Sequence, residues 1–210
     1  MTSEETNNCE IIDELIRQGR SFAMYRNPGE EEPHFLMQTY GEVRLVREME
    51  ELNGQTGFVI APFRVTPQCP IILIQPDCQE IPSCAGSPRR SVQPVCTEVC
   101  NRSAQNERPV RAKEAYAACF DIFIRALRAH IFDKLVLSRK VTVKKEPGFS
   151  PASAFYKACR RYIYSYVYLC YTPQTGVWMG STPEIILSGE KGEGNTVALA
   201  GTQSLQNGEF

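Results

Sequence analysis

The 210-residue chain has one tryptophan, two histidines, almost no excess charge of either sign and no long apolar run. Each shortage excludes something. A membrane-spanning helix needs about 18 or more consecutive apolar residues, and Ile71-Ile72-Leu73-Ile74 is only strand-length. Lys and Arg number 23 against 24 Asp and Glu, a net charge of -1, so no basic field points to nucleic acid or an anionic membrane. No internal repeat and no low-complexity tract argues for a solenoid or a tail. The opening Met1-Thr2-Ser3-Glu4-Glu5 is acidic and polar. It has neither the apolar core of a secretory signal nor the arginines of a transit peptide, and a cytoplasmic location is expected.

The two histidines carry little chemistry by pattern. His34 opens a strand-like run with no Cys or acid motif around it, and reads as a surface strand-end residue. His130 lies at the end of a helical pattern, where its charge suits the dipole. Cysteine is the one reactive type in surplus, with nine. In the expected reducing compartment they read as thiols rather than disulfides. Cys78, Cys84, Cys96 and Cys100 suggest a zinc quartet, but their C-x5-C and C-x3-C spacings lack paired C-x2-C knuckles. The plainer reading is free cysteines in and beside a loop.

Ile11, Ile12, Leu15 and Ile16 predict a first helix stopped at Gly19. Ser21–Arg26 and His34–Tyr40 read as strands around an Asn27-Pro28-Gly29 turn. Leu45–Leu52 reads as a short helix, Gly57–Phe63 as a buried strand and Pro70–Gln75 as another. Residues 76–109 are Pro-rich and without apolar period, and read as a long loop. Arg111–Phe132 is the best helix, with Ala115, Cys119, Ile122, Phe123, Leu127, His130 and Ile131 on one face. Val136–Lys144 alternates as a strand, Ala152–Arg161 suggests a helix, and Ile163–Tyr171 is an aromatic strand. Pro173-Gln174-Thr175-Gly176 predicts a hairpin into Val177–Gly180, and Glu184–Gly189 and Thr196–Thr202 follow as two more strands. Strands outnumber helices and tight turns join them. The expected class is α+β, mainly antiparallel sheets with helices packed on the outside. The division expected is an N-terminal layer at 1–75, the irregular loop at 76–110 and a second domain at 111–210.

Three short stretches carry candidate chemistry, and each has two readings. Lys134 is either a solvated lysine at a helix end or an amine that accepts a proton once neighbouring cations (Arg139, Lys140, Arg160, Arg161) or burial lower its pKa. Ser181-Thr182-Pro183-Glu184 fits a capping box. Yet Ile185-Ile186-Leu187 is too short and too branched for a helix, and beside Trp178 and Met179 Glu184 is a candidate general acid. Ala200-Gly201-Thr202 is either a strand exit or a turn whose N–H groups and hydroxyl bind a carboxylate.

Taken in order, Lys134-Leu-Val-Leu-Ser-Arg139, Trp178-Met-Gly-Ser-Thr-Pro-Glu184 and Ala198-Leu-Ala-Gly-Thr202 resemble the chorismate-utilising enzymes, and among them the isochorismate synthases. That resemblance implies isomerisation of chorismate to isochorismate for menaquinone or siderophore synthesis, with Mg²⁺ holding carboxylate. It implies Lys134 as the base that activates water and Glu184 as the acid that protonates the departing hydroxyl. Ala200, Gly201 and Thr202 would contact substrate. Anthranilate synthases carry glutamine at the Lys134 position, aminodeoxychorismate synthases can keep the lysine as a nucleophile, and salicylate synthases add pyruvate elimination. Family members are longer, with Mg²⁺-binding glutamates beyond the third motif. The chain is therefore expected to be an N-terminal part of such an enzyme, holding none of the metal ligands. Such a part should bind chorismate and Mg²⁺ poorly, turn over little, and self-associate through uncovered apolar surface, where the complete enzyme would be a monomer. A non-catalytic strand-rich binding module is the alternative from a different class.

Overall fold

The computed structural model describes residues 2–83, 109–190 and 192–197. The chain divides into two compact units, Met1–Cys96 with Ser150–Phe210, and Thr97–Phe149. The fold is α+β, and every strand pairing is antiparallel among the described residues.

The first unit begins with α1 (Ser3–Arg17). Thr2 caps it by accepting from the Glu5 N–H while the Glu5 carboxylate accepts from the Thr2 N–H, so two orphan donors are satisfied reciprocally. The helix stops where the sequence places Gly19. The Gly19 and Arg20 N–H groups close on the carbonyls of Ile16 and Leu15 at 3.1 and 2.9 Å. Strands β1 (Ser21–Arg26) and β2 (His34–Gln38) follow as predicted. The second helix of this unit, α3 (Pro151–Arg161), has Ser150 as N-cap and a proline in its first turn, where the missing N–H costs nothing. Asp13 of α1 accepts from the Ala152 N–H at 3.2 Å, and Arg160 pairs with Glu5 at 2.8 Å, so the two helices are tied at both ends.

These helices cover one face of a four-stranded sheet in the order β2-β1-β6-β7, where β6 is Tyr166–Thr172 and β7 is Gly176–Thr182. Strand alternation sorts the side chains. Phe22, Met24, Val167 and Leu169 point to the helices and pack on Ile12, Leu15 and Phe155. Ala23 and Cys170 point the other way, onto Ile72 and Ile74 of a second sheet. That sheet has the order β3-β5-β4, with β3 Arg44–Val46, β4 Phe58–Ile60 and β5 Ile71–Ile74. The unit is thus helices on sheet on sheet. All four residues of β5 are buried because both faces of that strand are covered.

Several elements differ from the sequence reading, each for a tertiary reason. The helix expected over Leu45–Leu52 is half strand. Leu45 and Val46 pair with Ile72 and Ile71, and only one 3₁₀ turn, Met49–Leu52, remains. The buried strand expected over Gly57–Phe63 shrinks to β4. It is an edge strand, so Val59 is exposed, and Phe63 beyond Pro62 is fully so. The aromatic strand begins three residues late, at Tyr166, because the carbonyls of Tyr162, Ile163 and Ser165 serve Arg26 instead. Glu184–Leu187 is irregular, and the strands there are β8 (Ser188–Glu190) and β9 (Glu193–Asn195). Thr196 and Val197 are not strand, and residues 198–202 lie outside the described residues, as do residues 84–108 of the expected loop.

In the second unit the predicted long helix is α2 (Pro109–Arg128). Its expected apolar face is present but unburied. Phe123 and Leu127 are half-buried, and Tyr116, Phe120 and Ile122 are exposed. His130 is the helix-end residue expected. It takes a left-handed conformation at φ 52°, and the His130 and Ile131 N–H groups donate to Leu127 and Ala126 carbonyls at 3.0 and 3.1 Å. The strand expected over Val136–Lys144 is absent, with Val136, Val141 and Val143 exposed. Alternation alone does not make a strand. It needs a neighbouring strand for its backbone, and the segment joins no sheet among the described residues.

Candidate active site

Glu184 leaves the sheet at the end of the β6–β7 hairpin. Pro173-Gln174-Thr175-Gly176 makes the turn as the sequence predicted, with Gly176 at φ 72°, a region that glycine enters without steric cost. The register then sets Cys170 opposite Trp178, Tyr168 opposite Gly180 and Tyr166 opposite Thr182. Gly180 is required by packing. A Cβ there would lie 2.4 Å from the Tyr168 ring, so the glycine of the Gly-Ser-Thr-Pro-Glu motif is where the Tyr168 ring crosses β7. Tyr168 belongs to a row of rings, Tyr168–Tyr166–Tyr25–His34, with centroids 4.9 to 6.2 Å apart. Burial raises the phenol pKa of Tyr166 and Tyr168, so these rings serve as packing and not as proton carriers near neutral pH.

Pro183 has no N–H to continue the ladder, and the chain turns away. The Glu184 N–H donates to Thr182 Oγ1 at 3.1 Å, which closes a short side-chain turn across the proline. The capping-box reading does not hold. Ser181 lies inside β7 and Glu184–Leu187 is irregular, not helical. Glu184 is exposed, Trp178 and Met179 are 46% and 38% exposed, and the Trp178 indole N–H donates to the Thr175 carbonyl. These neighbours therefore do not wrap Glu184 in the apolar pocket that the sequence reading invoked. Among the described residues no ion pair engages its carboxylate.

Lys134 lies in the second unit, Glu184 in the first. Lys134 is exposed in the irregular segment after α2, six positions past Arg128. The helix-dipole reading fits it poorly, because that field falls off within the last turn, which Arg125 and Arg128 already occupy. Of its suggested cationic neighbours, Arg160 pairs with Glu5 and Arg161 lies over the Tyr162 ring at 5.8 Å. Ala200, Gly201 and Thr202 lie outside the described residues.

Among the described residues no three His, Cys, Asp or Glu side chains group to hold a metal ion. The resemblance places the Mg²⁺ ligands beyond the third motif, outside these residues. Of the four cysteines weighed as a zinc quartet, Cys78 donates weakly to the Glu80 carbonyl, and Cys84, Cys96 and Cys100 are outside the described residues. Cys9, Cys159 and Cys170 are buried, and burial raises the thiol pKa of Cys9 and Cys159 and pushes Cys170 up to about 12, which disfavours the reactive thiolate. No helix among the described residues is long and apolar enough to cross a membrane.

Sequence reasoning missed two residues here. Thr182 could have been found as a hydroxyl two positions before a residue that follows proline, a side-chain turn signal. Tyr168 could not, because only the hairpin register sets it against Gly180.

A family model described as chorismate binding enzyme matches residues 64–209, well over half of the chain. No curated protein and no solved structure matches. With the Gly-Ser-Thr-Pro-Glu hairpin inside the matched span, the chain belongs to the chorismate binding enzyme family.

Proposed function

We propose that the chain acts in the isomerisation of chorismate to isochorismate. The observation that carries the reading is the placement of Glu184. It is held by its backbone at a strand exit, exposed, and spent on neither a helix cap nor, among the described residues, an ion pair. A carboxyl group so placed is open to a substrate. In the proposed reaction water attacks ring C2, and the Lys134 amine takes its proton. The ring double bonds shift and the C4 hydroxyl departs as water with a proton from Glu184. One water enters and one leaves, and no redox partner is needed. Lysine at position 134, where ammonia-using relatives carry glutamine, supports water as the nucleophile.

The test is product identity. Purified chain is incubated for hours with chorismate and Mg²⁺, with or without ammonium, because turnover is expected to be slow. Isochorismate is the expected product in both buffers, and Glu184→Gln and Lys134→Ala should each lower it by at least about 100-fold. An aminated product with ammonium, or salicylate with pyruvate, would move the chain to another branch of the family. Undiminished isochorismate in either variant would overturn the residue roles.

A further inference from the structure

We propose that Thr182 is a positioning residue for Glu184, acting through the hydrogen bond that its hydroxyl accepts from the Glu184 N–H. The inference rests on the reading of Glu184 as proton donor and extends it to the residue that aims it. Three features converge on one short stretch. The Tyr168 ring against Gly180 fixes the path of β7, since no side chain fits at that crossing. Thr182 is the last strand residue, paired with Tyr166 and half-buried, so its backbone is held by the sheet. Pro183 removes one rotatable backbone angle, and the residue before a proline is confined to extended conformations. The backbone rotation after Pro183 remains, and the 3.1 Å bond from the Glu184 N–H to Thr182 Oγ1 restrains it.

This arrangement restrains the backbone from which the Glu184 side chain projects, with no contact to the carboxylate itself. A side chain displaced by about 1 Å from the reacting geometry can lose on the order of 100-fold in rate. Removing the hydroxyl should therefore act on rate and leave substrate affinity alone. The isosteric Thr182→Val keeps the shape and the extended backbone preference, and Thr182→Ser restores the acceptor.

The experiment compares wild type, Thr182→Val, Thr182→Ser and Glu184→Gln by two readouts. Amide hydrogen exchange, followed by NMR, should show the Glu184 N–H protected in wild type and Thr182→Ser and unprotected in Thr182→Val. Isochorismate formation should fall by about 10- to 100-fold in Thr182→Val, with the chorismate concentration for half-saturation within about twofold of wild type, and recover in Thr182→Ser. Equal protection in Thr182→Val, or a loss that Thr182→Ser does not restore, would overturn the inference. Thr182→Val with full activity while Glu184→Gln has none would overturn this inference alone. Full activity in Glu184→Gln would overturn both it and the reading beneath it.

Discussion

Arg26 is 2% exposed and its guanidinium donates to five backbone carbonyls, so replacing it with methionine tests how the end of the main sheet is held. Nη1 reaches Asn27 and Glu30 in the loop after β1 and Ile163 in the turn before β6, at 2.9, 3.3 and 3.0 Å. Nη2 reaches Tyr162 and Ser165 at 2.6 and 3.0 Å. One planar fork therefore ties two chain segments that are more than 130 residues apart in sequence. A hydrogen bond from a charged donor contributes about 1.5–3 kcal/mol net. Summing five such bonds would overstate the loss, because Arg26, Ile163 and Tyr164 line an open cleft of about 800 Å³ into which water can follow. The expected cost of Arg26→Met is about 3–5 kcal/mol, roughly that of two of these charged bonds, since the carbonyls left behind are neutral and water can reach some of them. For a chain of this size that is a fall in Tm of roughly 6–20 °C, since each kcal/mol moves Tm by about 2–4 °C. Arg26→Lys should lie between the two, because an ammonium has three donors and no fork. Thermal and urea unfolding followed by circular dichroism measure all three proteins. A Tm within about 2 °C of wild type for Arg26→Met would refute the anchoring role.

Gly180→Ala should destabilise by about 2–4 kcal/mol, because the new methyl meets the Tyr168 ring at 2.4 Å, with the β6–β7 pairing holding both. In a double-mutant cycle Tyr168→Ala should return part of that loss, and strict additivity of the two changes would refute the contact. Burial pushes the Tyr156 phenol up to about 12, against a hydrogen bond with the Asn8 side chain. A raised pKa favours the protonated form in the folded state, so this stabilisation is complete below the unfolded value near 10 and is lost as pH rises from 10 to about 12. Tyr156→Phe should flatten the fall in stability over that window by roughly 1–2 kcal/mol, and an unchanged slope in urea titrations would count against it.

Glu184 and Lys134 illustrate how differently the two halves of the proposed acid–base pair were legible. The hairpin before Glu184 follows from local chemistry: a Pro-Gln-Thr-Gly turn, alternating aromatic residues and a proline that ends the strand. The helix before Lys134 was equally legible, though it stops at Arg128, short of the expected Phe132. The strand after it was not. Its alternation is as regular as that of β6, but β6 lies between β1 and β7 whereas Val136–Lys144 joins no sheet among the described residues. Leu45–Leu52 failed the opposite way, since a helical spacing gave way to pairing with β5.

By itself the sequence determined the α+β class, both helices and the β1, β2 and β6–β7 segments of the first unit, and the three motifs that resemble the chorismate-utilising enzymes. These rest on short-range terms, namely capping, turn residues and periodicity, which act over a few neighbouring positions. The tertiary structure alone decided that Arg26 would be buried with its donors on five carbonyls, that Gly180 would face Tyr168, and that Thr182 rather than a helix cap would hold Glu184. The first two depend on which strands lie side by side and in what register. The last depends on β7 continuing through Ser181, where a helix was the other option open to the same four residues. Register and partner are set by the burial of a whole sheet face, a long-range quantity that no window of sequence contains.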